Sequence, residues 1–157
     1  MPYYYIDGSL TASAAFNAAG ALVYASSSNG SALRRGRTYE LLMGAASAPS
    51  ATDTPIAYDL SRSTTSALSG SSYAPQATDL AELQTSAALA WTGATNAVTA
   101  NSTVFSVALN QRNSQRWTAA QESQMLIWPA TFANGFAFRA LSPSYSASVK
   151  TGLYFQE

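Results

Sequence analysis

The chain has 157 residues with 8 basic and 8 acidic side chains, no His and no Cys, and 69 of its residues are Ala, Ser or Thr. The missing residue types exclude a thiol nucleophile, a disulfide, an imidazole base, the usual zinc ligand sets and a Ser-His-Asp hydrolase. Zero formal charge, with Lys150 as the single lysine, argues against a surface that binds nucleic acid by neutralising phosphates.

The length suits one domain, and large apolar residues are few enough that partner subunits are expected to supplement a thin core. Residues 1–36 open with Tyr3-Tyr4-Tyr5-Ile6 and continue mostly as Ala, Ser, Gly and Asn with weak patterning. They read as an extended N-terminal arm ordered against a neighbour or, equally, as edge strands of the same domain. No basic stretch precedes an apolar run there, so a secretory signal is not expected. The uncharged stretches 8–33 and 83–111 are broken by Ser, Thr, Asn and Gly, so neither reads as a membrane span.

From residue 37 to 157 period-2 alternation predicts a β-sandwich domain. Tyr39, Leu41 and Met43 share one strand face; Ile56, Tyr58 and Leu60 share another. From Asp79 a short helix competes, with Leu80, Leu83, Ala87 and Ala90 at helical spacing and Asp79 with Glu82 as a capping box. Phe105, Val107 and Leu109 alternate next, and the apolar run Met125–Trp128 stops at Pro129, which cannot donate to a central ladder. Phe136, Phe138 and Ala140 follow. The clearest pattern is the last, with Tyr145, Ala147, Val149, Thr151, Leu153 and Phe155 on one face. Ala48-Pro49-Ser50, Ser69-Gly70-Ser71-Ser72, Asn134-Gly135 and Ser142-Pro143-Ser144 supply turn chemistry between these runs. The fold class predicted is all-β, an antiparallel sandwich or barrel.

Candidate chemistry is sparse. The eight carboxylates sit in no motif, and neither a calcium loop nor a glycine-rich phosphate loop is present. Ser148 and Lys150 lie two apart on a strand, as a Ser-Lys nucleophile pair would, but with 23 serines such proximity carries little weight. The sequons at Asn29 and Asn101 are expected by chance in so Ser/Thr-rich a chain. Arg34, Arg35 and Arg37 concentrate basic charge before a strand; they suit either an acidic partner surface or a soluble strand entrance. Tyr3, Tyr4 and Tyr5 suit an interface, where Tyr is enriched. Trp91, Trp117 and Trp128 are scattered and read as core or subunit packing.

Ser106 to Arg112, Arg116-Trp117, Leu126 to Thr131 and Asn134-Gly135 together form a pattern: an LNQR…RW strand pair, a proline turn ending in NG, and a final strand closing on Glu157. This pattern, with Asp59 to Thr64 upstream, resembles small structural proteins encoded beside the major capsid protein of tailed bacteriophages. The resemblance runs from about residue 37 onward. The chain departs from it in the N-terminal segment and in Trp128 before the proline. The resemblance implies a jelly-roll-like virion structural protein without enzymatic activity or cofactor, which decorates or cements a capsid as a homotrimer. It would be made in the host cytoplasm and carried on the capsid surface, with the major capsid protein as partner and neither membrane nor nucleic acid. Asn110, Gln111, Arg112 and Arg116 would supply polar contacts, or else satisfy groups in their own domain. The alternative is a tail-associated module that binds a receptor or glycan through Tyr and Trp. A carboxylate-dependent hydrolase is the third class.

Overall fold

A computed structural model describes residues 1–12, 21–26, 33–64, 71–94, 99, 102–143 and 145–157. The chain folds as two antiparallel sheets packed face to face. The strands are β1 (Tyr3–Ala12), β2 (Ala21–Ser26), β3 (Gly36–Ala45), β4 (Pro55–Ser63), β5 (Ser71–Tyr73) and β6 (Gln76–Ala77). They continue with β7 (Ala88–Ala94), β8 (Thr103–Asn110), β9 (Ser114–Thr118), β10 (Leu126–Trp128), β11 (Gly135–Leu141) and β12 (Ala147–Gln156).

The first sheet runs β10-β3-β12-β1-β6 with β9 also on β3, and the second runs β5-β7-β2-β11-β4-β8. The pairings nest: β1 lies on β12, β2 on β11, β3 on β9, and β4 on β8. β1 to β4 alternate between the two sheets, and the later strands return alongside them. A ribbon of paired strands wrapped in this way is a jelly-roll sandwich. β5, β6 and β7 add to it by extending the second sheet beyond β2 and padding the outer side of β1.

Alternation places the core. On β12 the buried set is Ala147, Val149, Thr151, Leu153 and Phe155, the face expected from the sequence. Ile56, Tyr58 and Leu60 on β4 and Phe136, Phe138 and Ala140 on β11 point in from the second sheet. Trp128 ties the layers together. It is 1 % exposed, with its indole 5.0 Å from the Phe155 ring and 6.0 Å from Phe136. Each such aromatic contributes roughly 2–3 kcal/mol by leaving water.

The segment before residue 37 contributes one strand to each sheet. β1 pairs with β12 over ten positions, burying Tyr4, Ile6, Leu10 and Ala12, while β6 reaches it only at Tyr4 and Tyr5, so most of β1 is an edge. Tyr39 leaves the face of Leu41 and Met43, because the register slips between Tyr154 and Phe155 and the bulged β3 turns Tyr39 outward. No helix forms at Asp79. Its carboxylate accepts the Ala81 N–H as an N-cap would, but the Glu82 carboxylate takes the Gln84 N–H that the next helical turn would need. Leu80 and Leu83 are left exposed. Finally, β8 and β9 do not pair with each other: the chain crosses between them from the second sheet to the first. The predicted features at Asn29, Ser69, Gly70, Asn101 and Ser144 lie outside the described residues.

A candidate binding face on the first sheet

The outer face of the first sheet collects most of the accessible chemistry. Alternation along β1 sends Tyr4 inward and Tyr3 and Tyr5 outward. Tyr154 projects from β12, and the bulge adds Tyr39 from β3. The four phenols form one continuous row: Tyr3 lies edge-on to Tyr39 at 5.9 Å, Tyr39 is 6.1 Å from Tyr154, and Tyr154 is 4.4 Å from Tyr5. Partial burial, followed by nearby carboxylates, raises the phenol pKa of Tyr5 and Tyr39, so both remain neutral hydroxyl donors.

Beside this row lies an open cleft of about 520 Å³. Gly44 and Gly152 form part of its floor, Tyr5 and Arg116 its walls, and Asp7 and Lys150 line it from β1 and β12. Gly152 has a local reason to be glycine, since a Cβ there would sit 2.9 Å from the Tyr5 hydroxyl. Arg116 donates to the carboxylate of Glu40 at 2.7 Å, and this contact holds the guanidinium pKa above its usual value. Asp7 and Lys150 have no ion-pair partner among the described residues. The cleft therefore offers an aromatic wall, two cations and one carboxylate, where glycoside hydrolysis needs two carboxylates. Among the described residues no three of His, Cys, Asp and Glu come together. Ser148 and Lys150 are both exposed and share no hydrogen bond.

Of the contact residues expected from sequence, Tyr3, Tyr5 and Arg116 reach this face. Tyr4 does not. It is 1 % exposed, stacks on Phe155 at 5.4 Å and donates its hydroxyl to the Gln84 carbonyl. The other basic residues mostly hold their own chain. Arg34 donates to the Thr85 carbonyl and lies 3.6 Å from Glu157, Arg37 pairs with Glu122, and Arg35 is exposed with no such tie among the described residues.

At the β8–β9 corner Gln111 is buried. Its amide accepts the Ser50 N–H and donates to the carbonyls of Ser50 and Thr52. Arg112 holds Asp53 beside it at 3.0 Å, and this contact lowers the Asp53 pKa. Asn110 is exposed, with its side chain closing the turn onto the Arg112 N–H. The corner thus anchors the loop before β4, because a buried amide must find partners.

Sequence alternation groups Lys150, Gly152 and Tyr154 on the outward side of the last strand, but it does not bring Tyr39 or the β1 tyrosines beside them. The only local signal was Gly152 interrupting the outward side of the last strand. Compared with family models, curated proteins and solved structures, the chain matches none.

Proposed function

We propose that the chain is a virion structural protein that decorates and stabilises the capsid of a tailed bacteriophage, bound to the major capsid protein as a homotrimer. The observation that carries this reading is the open tyrosine-lined face of the first sheet, a broad surface with a shallow cleft. Such a face suits many modest contacts repeated by symmetry, and repetition raises avidity without a deep pocket. The LNQR…RW and proline–NG segments support the same reading through their resemblance to capsid-associated proteins. In this role the protein is non-enzymatic and sits on the shell surface. Adding purified protein to shells that lack it should raise their resistance to heat and osmotic shock. Unchanged resistance at saturating protein would overturn the proposal.

A second reading is favoured by one observation, the phenol row beside a glycine-floored cleft. Aromatic faces next to fixed polar groups suit a saccharide, so a receptor- or glycan-binding module is the alternative. It predicts glycan-array hits that Tyr5→Ala abolishes, and an array without hits would remove it.

A further inference from the structure

The sandwich covers or shortens most of its sheet edges. β5 and β10 have three residues each and β6 has two. β1 pairs with β6 only at Tyr4 and Tyr5, but the edge beyond carries the charge of Asp7, whose carbonyl accepts the Tyr73 hydroxyl from β5. β9 has five residues and carries Arg116. β8 differs from all of these. It is an eight-residue terminal strand of the second sheet, Thr-Val-Phe-Ser-Val-Ala-Leu-Asn, and contains neither charge nor proline. Short length, charge and proline are the ordinary deterrents to edge pairing, and this strand has none of them.

The pairing with β4 shows which backbone groups are left over. Gln111 N–H donates to the Thr54 carbonyl, and Asn110 faces Pro55, which has no N–H. By alternation Leu109, Val107 and Phe105 direct their backbone groups to β4. Those of Ser106, Ala108 and Asn110 point away from the sheet, and these three residues are exposed.

We infer that β8 pairs antiparallel with β8 of a second copy of this chain, about a twofold axis at Val107. The strand is self-complementary in that register. Val107 faces Val107 of the second copy, Phe105 faces Leu109, and Ser106 faces Ala108. Half-buried apolar side chains then meet apolar ones on the core side, and small residues meet on the outer side. Ser106 and Ala108 of opposite copies exchange hydrogen bonds through the backbone groups that have no partner among the described residues. No like charges oppose each other, because the strand carries none. The contact is isologous and consumes the edge that makes it, so this contact alone closes at two copies. Its area is small, which makes the association weak and concentration-dependent. It does not depend on capsid binding. If the proposed trimers form on a shell, the same contact joins neighbouring trimers.

Sedimentation velocity of the free protein over a wide concentration range tests this. The wild type should show reversible self-association. Ala108→Pro, which removes an N–H that β4 does not use, should abolish it. Ser106→Lys with Ala108→Lys should do the same by placing lysines opposite each other. Ser106→Lys with Ala108→Glu should restore association in a salt-sensitive form, because each lysine then faces a glutamate. Circular dichroism and melting temperature confirm that each variant folds, and the two charge pairs decide the matter if the proline variant does not. Absence of self-association in the wild type would overturn the inference, as would a concentration dependence of association that is the same in the wild type and the double-lysine variant. Either result leaves the shell-binding test unaffected.

Discussion

Gly36 and Trp128 face each other across the β3–β10 pair, and the indole occupies the space where a side chain at residue 36 would begin. A Cβ there would overlap the buried ring, which is also held against Phe136 and Phe155. Gly36→Ala should destabilise the fold by about 3 kcal/mol, the upper part of the usual range for overpacking. Trp128→Ala should cost roughly 3–5 kcal/mol through the cavity left behind. Urea unfolding followed by circular dichroism measures both. A Gly36→Ala midpoint equal to wild type would show that the indole is free to move.

The second sheet holds a nearly buried ion pair. Asp59 accepts from Arg139 Nη2 at 2.8 Å and Nε at 3.2 Å and from the Thr103 hydroxyl at 2.9 Å, with side chains 7 % and 16 % exposed. Asp59→Ala leaves the guanidinium without its carboxylate and should cost roughly 3–5 kcal/mol. Adding Arg139→Met should recover most of that loss, since the uncompensated charge is then gone. Chemical denaturation of the single and double variants separates the cases. A double variant no more stable than Asp59→Ala would refute the assignment.

Alkali should weaken the fold before it ionises the buried phenols. Burial pushes the Tyr58 pKa from the ordinary 10.0 up to about 12 and raises that of Tyr73 further. A folded-state pKa above the unfolded one gives stability that is complete below pH 10 and is lost as pH climbs through the folded value. Two units at Tyr58 correspond to roughly 2–3 kcal/mol. Melting temperature should therefore fall between pH 10 and 12 while part of the tyrosinate absorbance remains undeveloped. Tyr58→Phe should flatten the decline. A decline equally steep in that variant would contradict the cause.

The cleft should be separable from the fold. Gly152→Ala brings a methyl within 2.9 Å of the Tyr5 hydroxyl, which can swing away because it is the free end of its side chain. Stability should change by about 1 kcal/mol or less while binding at this face weakens severalfold. Melting temperature and shell binding, measured on the same preparation, check both halves. Unaltered binding would place the contact elsewhere.

Strand faces were legible where alternation is local and uninterrupted, as from Ala147 to Phe155. Partners were not. Tyr3 lies opposite Gln156, and nothing near either residue marks that pairing. The adjacent β8 and β9 look like a hairpin in sequence yet belong to different sheets, because the Asn110–Arg112 corner turns across the sandwich edge. Tyr39 was misplaced by one bulge, which reverses side-chain direction without a residue signature. At Asp79 the helical spacing was real, but the Glu82 carboxylate took the Gln84 N–H, a backbone donor that a helix needs. Glu157 adds a tertiary clamp by accepting the N–H groups of Ala87 and Ala88. The binding face suffered most, since its four tyrosines come from three strands that meet only after folding.

Shell binding by co-sedimentation tests the central claim most directly. Purified protein is titrated against capsids that lack it, alongside a Tyr5→Ala/Tyr154→Ala variant verified as folded. Saturable binding by the wild type to a fixed number of sites, with affinity lowered at least tenfold in the variant, is the predicted result. No binding by the wild type would contradict capsid decoration, and equal affinity in the variant would contradict the role of the tyrosine-lined face.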